Sequence, residues 1–173
     1  MNIVLIGYRC TGKSSVGRLL SKEIGWEYID TDELIQQKSG FCIDDIVRQY
    51  GWNRFRELEK EIVKEVSNLD NYIISTGGGV VLNEENVYKL KERGFFIWLK
   101  ADSTTIRARM KEDQKTDINR PALTDANPID EIEHVLKLRE PLYDKYADFI
   151  VNTDNLSEQQ VCNIILKKIL RFV

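Results

Sequence analysis

The chain has 173 residues, and 25 lysines and arginines stand against 28 aspartates and glutamates, a formal charge of -3 with 31% charged residues. That balance argues against a basic nucleic-acid-binding face or an acidic tail, and the length fits a single domain with a sizeable core. No apolar run approaches a membrane span, no leader segment precedes the first strand, and Cys10, Cys42 and Cys162 are odd in number and widely spaced, so the expectation is a cytoplasmic protein with free thiols, without disulfides or zinc.

Residues 2–6, N-I-V-L-I, read as an apolar β-branched strand. G-Y-R-C-T-G-K-S follows at 7–14, then a helical repeat of Val16, Leu19, Leu20 and Ile24. This is the full G-x-x-x-x-G-K-[ST] pattern in the strand, loop and helix context it requires. The loop around Cys10, Thr11, Gly12 and Ser15 should aim backbone N–H groups at polyphosphate oxygens, with Lys13 as a point charge and Ser14 completing a magnesium shell. A chance glycine-rich turn explains neither the Lys-Ser pair nor its placement. Cys10 reads either as a small residue tolerated by a tight turn or as a thiol activated by the helix N-terminus and Lys13.

A brief strand at 27–30 runs into D-T-D. Asp30, ending the strand, is assigned to magnesium; Asp32, farther out, suits an acceptor hydroxyl or, equally well, the N-cap of a helix over 33–39. Helical periodicity follows at 43–50 and 55–66, the latter opening F-R-E-L-E. Within it Arg56 is either a binding residue or a solvated side chain paired with Glu59 three positions on. Residues 71–75 form a strand ending in T-G-G-G, and Gly77, Gly78 and Gly79 allow close backbone approach with unobstructed N–H donors. A helix over 84–93 leads to a strand at 95–99. From 112 to 127 the chain is polar and aperiodic, with Arg120 just before Pro121, as in a mobile lid.

A helix over 129–146 carries His134, with Glu131 and Lys137 nearby, read as a solvated histidine. Farther on it carries Arg139 in R-E-P-L-Y, where Pro141 should bend or break the helix. A strand at 148–151 and a helix at 157–170 complete the pattern, and Trp26, Trp52 and Trp98 read as packing residues. Alternation of this kind gives an α/β fold, a five-stranded parallel sheet with helices on both faces. Ligands bind such sheets outside the carboxyl ends of the strands, so the phosphate loop, D-T-D and T-G-G-G should meet in one crevice. Arg56 and Arg139, if they converge there, would offer forked donors to a planar carboxylate.

Taken together, 7–14, D-T-D at 30–32, F-R-E-L-E at 55–59, G-G-G at 77–79, R-P-A-L at 120–123 and R-E-P-L-Y at 139–143 resemble the shikimate kinase family, within the nucleoside-monophosphate-kinase-like P-loop enzymes, nearly end to end. The resemblance implies transfer of the ATP γ-phosphoryl group to the 3-hydroxyl of shikimate, with magnesium, on the route to chorismate and the aromatic amino acids, by an enzyme expected to be monomeric. It further implies Lys13, Asp32 and Arg120 as catalytic residues, with Arg120 also at the nucleotide. Asp32, Arg56, the three glycines and Arg139 become the shikimate contacts, Ser14 and Asp30 the metal side, and Arg109 a contact to adenine. Trp52 stands where the family usually has Glu, Cys10 where it favours Gly or another small residue, and 152–156 lacks the arginine or proline often found beside adenine. A gluconate kinase, a nucleoside-monophosphate-type kinase, and a regulatory protein that binds ATP without turnover are the competing expectations.

Overall fold

The computed structural model describes residues 1–112, 121–124 and 127–170. Its centre is a five-stranded parallel sheet in the order β2-β3-β1-β4-β5, built from β1 (Asn2–Ile6), β2 (Glu27–Asp30), β3 (Tyr72–Ser75), β4 (Gly94–Lys100) and β5 (Phe149–Asn152). Among the described residues the helices are α1 (Lys13–Ile24), α2 (Thr31–Ser39), α3 (Ile43–Val66), α4 (Glu84–Lys91), α5 (Ser103–Glu112), α6 (Ile132–Tyr146) and α7 (Glu158–Ile169), with a 3-10 turn over Val80–Leu82.

β1 is central and buried along its whole length. Its apolar residues therefore serve two cores, sorted by the pleat. Val4 and Ile6 join Ile74, Phe96 and Trp98 beneath α2, α3, α4 and α6. Ile3 and Leu5 join Ile73, Ile97 and Leu99 beneath α1 and α7. A third cluster joins Tyr8 to Ile106 and Met110 of α5 and to Ile132, Val135 and Leu136 of α6. Because all five strands run the same way, the loops after β1, β2 and β3 leave from one edge of the sheet, and β1 lies where the order of connection reverses.

Local chemistry moved several boundaries. The stretches expected at 43–50 and 55–66 form one element, α3, interrupted at Gly51, whose φ of 79° lies outside the helical region. Helix α2 starts at Thr31, earlier than expected, because Asp30 is its N-cap: one carboxylate oxygen accepts from Asp32 N and Glu33 N. The capping alternative for Asp32 is thereby excluded. Pro141 lies inside α6 without ending it. Ser157 and Gln160 close a reciprocal capping box at the start of α7. Most of the polar stretch 112–127, Arg120 included, lies outside the described residues. No helix among the described residues is long and apolar enough to cross a membrane.

Candidate active site

A crevice of about 720 Å³ opens along the carboxyl edge of the sheet. One side is the phosphate loop, with Cys10, Thr11, Gly12, Lys13, Ser14 and Ser15; the other holds Asp32, Arg56, Gly77, Gly78, Gly79 and Arg139. Asp30 lies between them. Segments as far apart in the chain as 10 and 139 thus share one cavity, and each is positioned by the end of a strand or the face of a helix packed on the sheet.

On the loop side, Lys13 is 9% exposed and its Nζ donates to Gly7 O at 2.9 Å and Tyr8 O at 2.7 Å. The ammonium is held inside the loop by its own carbonyls, close to where a phosphate group would replace them. Cys10 is half-buried with φ 60°, a left-handed conformation. Its carbonyl accepts from Arg109 Nη1 at 3.3 Å. Arg109 also grips Thr153, with Nη1 to Oγ1 at 3.0 Å and Nη2 to the carbonyl at 2.8 Å. This tie joins the loop to the segment after β5, where Thr153, Leu156 and Ser157 line the crevice. The sequence offered no arginine or proline in that segment; what the structure shows there is Thr153 bonded to Arg109.

Asp30 divides its carboxylate between two tasks. Oδ1 caps α2, while Oδ2 accepts from Ser14 Oγ at 2.9 Å and Tyr28 Oη at 3.1 Å. Burial and the neighbouring carboxylate push the Tyr28 phenol well above its ordinary range, so it stays a donor. A Ser hydroxyl and one carboxylate oxygen side by side suit magnesium, which takes one or two protein oxygens and fills its octahedron with phosphate and water. Among the described residues no cluster of three or more His, Cys, Asp or Glu side chains could cage a metal.

The wall that carries Asp32, Arg56 and Arg139 is organised by the three glycines. A Cβ on Gly77 would come 2.6 Å from Asp32 Oδ1, and one on Gly79 would collide with both terminal nitrogens of Arg56. A Cβ on Gly78 would come 3.3 Å from Gly7 O and 3.6 Å from both Arg139 Nη1 and Arg9 N, so this glycine lies between the phosphate loop and Arg139. Each glycine therefore meets one of the three charged side chains. Thr31 Oγ1 accepts from Gly77 N at 3.1 Å, and Tyr143 Oη donates to Gly78 O at 2.5 Å. Burial pushes the Tyr143 phenol up to about 12 against the opposing charge of Arg139, which keeps it protonated at neutral pH.

Arg56 does pair with Glu59, as the spacing allowed, but the pair is no solvated ornament. Nη1 reaches both Glu59 oxygens at 2.8 Å, and Glu59 is 1% exposed. The guanidinium also lies over the rings of Phe55, at 5.1 Å, and Trp52, at 5.5 Å. Trp52 lines the crevice and packs edge-on against Phe55, so its description as a packing residue was incomplete; Trp98 is a core residue as expected. His134 is exposed. Glu131, by contrast, is buried. Glu59 figured in the sequence as the helical partner of Arg56 and Tyr143 only as the end of R-E-P-L-Y; the burial of Glu59, Tyr143 and Glu131 left no signal there.

Burial is the main influence on Glu59 and holds its carboxyl above the ordinary glutamate value, with Arg56 opposing. On acidification it therefore takes up a proton earlier than an ordinary glutamate, and the ion pair that fixes Arg56 is lost in that higher window. The expected result is an acceptor KM that rises about fivefold to tenfold as pH falls through the Glu59 transition. Steady-state KM against pH, with Glu59→Gln as the control whose profile should be flat there, checks this. Identical profiles for the two proteins would remove Glu59 from the acceptor side.

The family model described as shikimate kinase matches residues 9–170. The chain is 41% identical over 167 residues to a shikimate kinase of Thermodesulfovibrio yellowstonii, covering 96% of this chain and 94% of that one. A solved shikimate kinase from Acinetobacter baumannii, in complex with shikimate, has a TM-score of 0.90 to this chain at 32% identity, over 98% of this chain and 93% of the other. A gluconokinase from Sinorhizobium meliloti shares the fold alone, with a TM-score of 0.60 at 16% identity over 99% and 92% of the two chains.

Proposed function

The chain belongs to the shikimate kinase family of ATP-dependent phosphotransferases, and from that premise we infer that it transfers the γ-phosphoryl group of ATP to the 3-hydroxyl of shikimate, in the chorismate and aromatic amino acid pathway. The observation that carries this reading is the glycine segment: the missing Cβ atoms of Gly77 and Gly79 leave room for Asp32 and Arg56, and a Cβ on Gly78 would come within 3.6 Å of Arg139 Nη1, in the same crevice as a complete phosphate loop.

The division of labour follows from what phosphoryl transfer asks, which is positioning and neutralisation of charge. The loop from Cys10 to Ser15 cradles the triphosphate with backbone N–H groups, and Lys13 leaves its two carbonyls to meet the β- and γ-phosphates. Ser14, with Asp30 directly or through water, would hold magnesium, which would supply charge neutralisation at the phosphates. Arg109, tied to Thr153, borders the base. Arg56 and Arg139 hold the acceptor carboxylate with forked donors; Glu59, Trp52 and Phe55 fix one fork, and the buried wall around Tyr143 fixes the other. Gly78 and its neighbours approach the acceptor with backbone. Asp32 accepts hydrogen bonds from the ring hydroxyls and takes the proton of the attacking one. Arg120, outside the described residues, keeps the role of neutralising the transferring phosphoryl group on the strength of its R-P-A-L motif. A monomer in the cytoplasm completes the reading; it is compatible with the absence of a span-length apolar helix among the described residues.

The test compares phosphoryl transfer to shikimate and to gluconate under identical magnesium and ATP, in the wild-type chain and in Arg139→Ala. Shikimate should be the preferred acceptor, and the variant should raise its KM by about a hundredfold with a smaller change in kcat, since a buried guanidinium facing a carboxylate acts in binding. Preference for gluconate, or an unchanged KM in the variant, would overturn the assignment of the acceptor side.

A further inference from the structure

Glu131 plays no part in the scheme above, yet it is among the most deeply buried carboxylates of the chain, 1% exposed at the turn that opens α6. Its Oε2 accepts three hydrogen bonds, from Leu123 N at 2.8 Å, Thr124 N at 2.8 Å and Thr124 Oγ1 at 3.0 Å. Among the described residues its Oε1 accepts no hydrogen bond, and it faces Arg9 Nη2 at 3.9 Å. That same Arg9 nitrogen donates to Pro121 O at 3.2 Å. Arg9 belongs to the phosphate loop, between Tyr8 and Cys10. One buried carboxylate and one loop arginine therefore hold both ends of the 121–124 backbone.

The placement bears on function because Pro121 and Leu123 line the same crevice as Arg9, Cys10 and Thr11. Beneath them the third apolar cluster packs Tyr8 and Ile132 with Cys10 and Leu123, so the loop and the 121–124 segment share one support. Apolar side chains could have supplied that packing alone. A buried charge is costly unless well partnered, and here its partners are the backbone donors of one wall and the guanidinium of the other. We propose that Glu131 is a positioning residue for phosphoryl transfer, which clamps the 121–124 wall to the phosphate loop through Arg9 and so preorganises the nucleotide half of the site.

The proposal rests on the reading of the loop as the ATP site. Its test uses the full chain in four forms: wild type, Glu131→Gln, Arg9→Gln and the double variant. Glu131→Gln should raise KM for MgATP about tenfold while KM for shikimate stays within about twofold. Amide hydrogen exchange at Leu123 and Thr124 should quicken in Glu131→Gln and also in Arg9→Gln, although Arg9 touches neither amide. The double variant should be no worse than the more impaired single variant, because two residues acting as one unit are not additive. Wild-type KM for MgATP in both single variants, or additive losses in the double, would overturn the proposal. If Glu131→Gln does not fold, Arg9→Gln decides through the same KM split and exchange. A wild-type chain inactive on shikimate would count against the proposed function instead; calorimetric binding of MgADP across the same four forms would then decide the clamp.

Discussion

Replacing Lys13 by alanine is expected to lower kcat for phosphoryl transfer about a thousandfold, the upper end of what removing one preorganised donor to a developing charge costs. The expectation rests on where the ammonium sits. It is 9% exposed and held by the carbonyls of Gly7 and Tyr8, so its charge acts in a partly desolvated loop where it is worth more than in water. Two effects are combined in the alanine variant: the phosphates lose a cation, and the loop loses a side chain that braces two of its carbonyls. Lys13→Arg separates them. It keeps the charge, but a planar fork does not reproduce a compact ammonium between two carbonyls, and recovery should be slight. The check is kcat at saturating MgATP and acceptor, with thermal midpoints measured alongside. A Lys13→Ala enzyme within tenfold of wild-type kcat would show that charge neutralisation is supplied elsewhere.

Much of the fold was legible because its signals are local and agree with one another. I-V-L-I at 3–6 is apolar at every position, which only a strand covered on both faces requires, and β1 is that strand. The alternation of strands and helical repeats then left a parallel sheet as the consistent arrangement. The strand order β2-β3-β1-β4-β5 was not legible, since pairing between strands distant in the chain leaves no mark on either segment alone. The continuity of α3 was missed for the opposite reason. Gly51 interrupts the apolar period, and sequence cannot tell a glycine that separates two helices from one that kinks a single element.

The site divides along a similar line. The phosphate loop, D-T-D and T-G-G-G were legible because each is a special composition at the end of a strand, where backbone geometry demands it. Asp30 and Asp32 were harder. Two carboxylates two residues apart at a helix start both suit a cap, and only the observed start of α2 at Thr31 gives that task to Asp30. Glu59 and Glu131 were illegible as buried partners: a glutamate three positions from an arginine, or at the opening of a helix, has the same pattern whether it faces solvent or core. What separates them from surface charges is burial by distant elements. For Trp52 the signal was present, in its departure from the family's usual Glu, but its direction was not. Its ring lies 5.5 Å from the Arg56 guanidinium, a cation–π contact that no local sequence pattern specifies.

Asp32→Asn should lower kcat about a thousandfold while changing acceptor affinity only a few-fold, within the usual reach of a positioned general base. The split is the point of the substitution. Asp32 is half-buried in the first turn of α2, on the acceptor side of the crevice, and the missing Cβ of Gly77 is what lets its carboxylate approach the glycine backbone. An amide of the same shape still accepts a hydrogen bond from a hydroxyl but cannot take its proton, so binding should survive where transfer does not. Asp32→Ala should lose both. Calorimetric acceptor affinity set beside kcat at saturation distinguishes the two roles. Should the amide variant instead weaken acceptor binding tenfold or more with kcat nearly intact, Asp32 positions the substrate without accepting its proton. Transfer would then follow the loose, largely dissociative route in which the hydroxyl gives up its proton late and charge neutralisation by the phosphate loop carries the barrier.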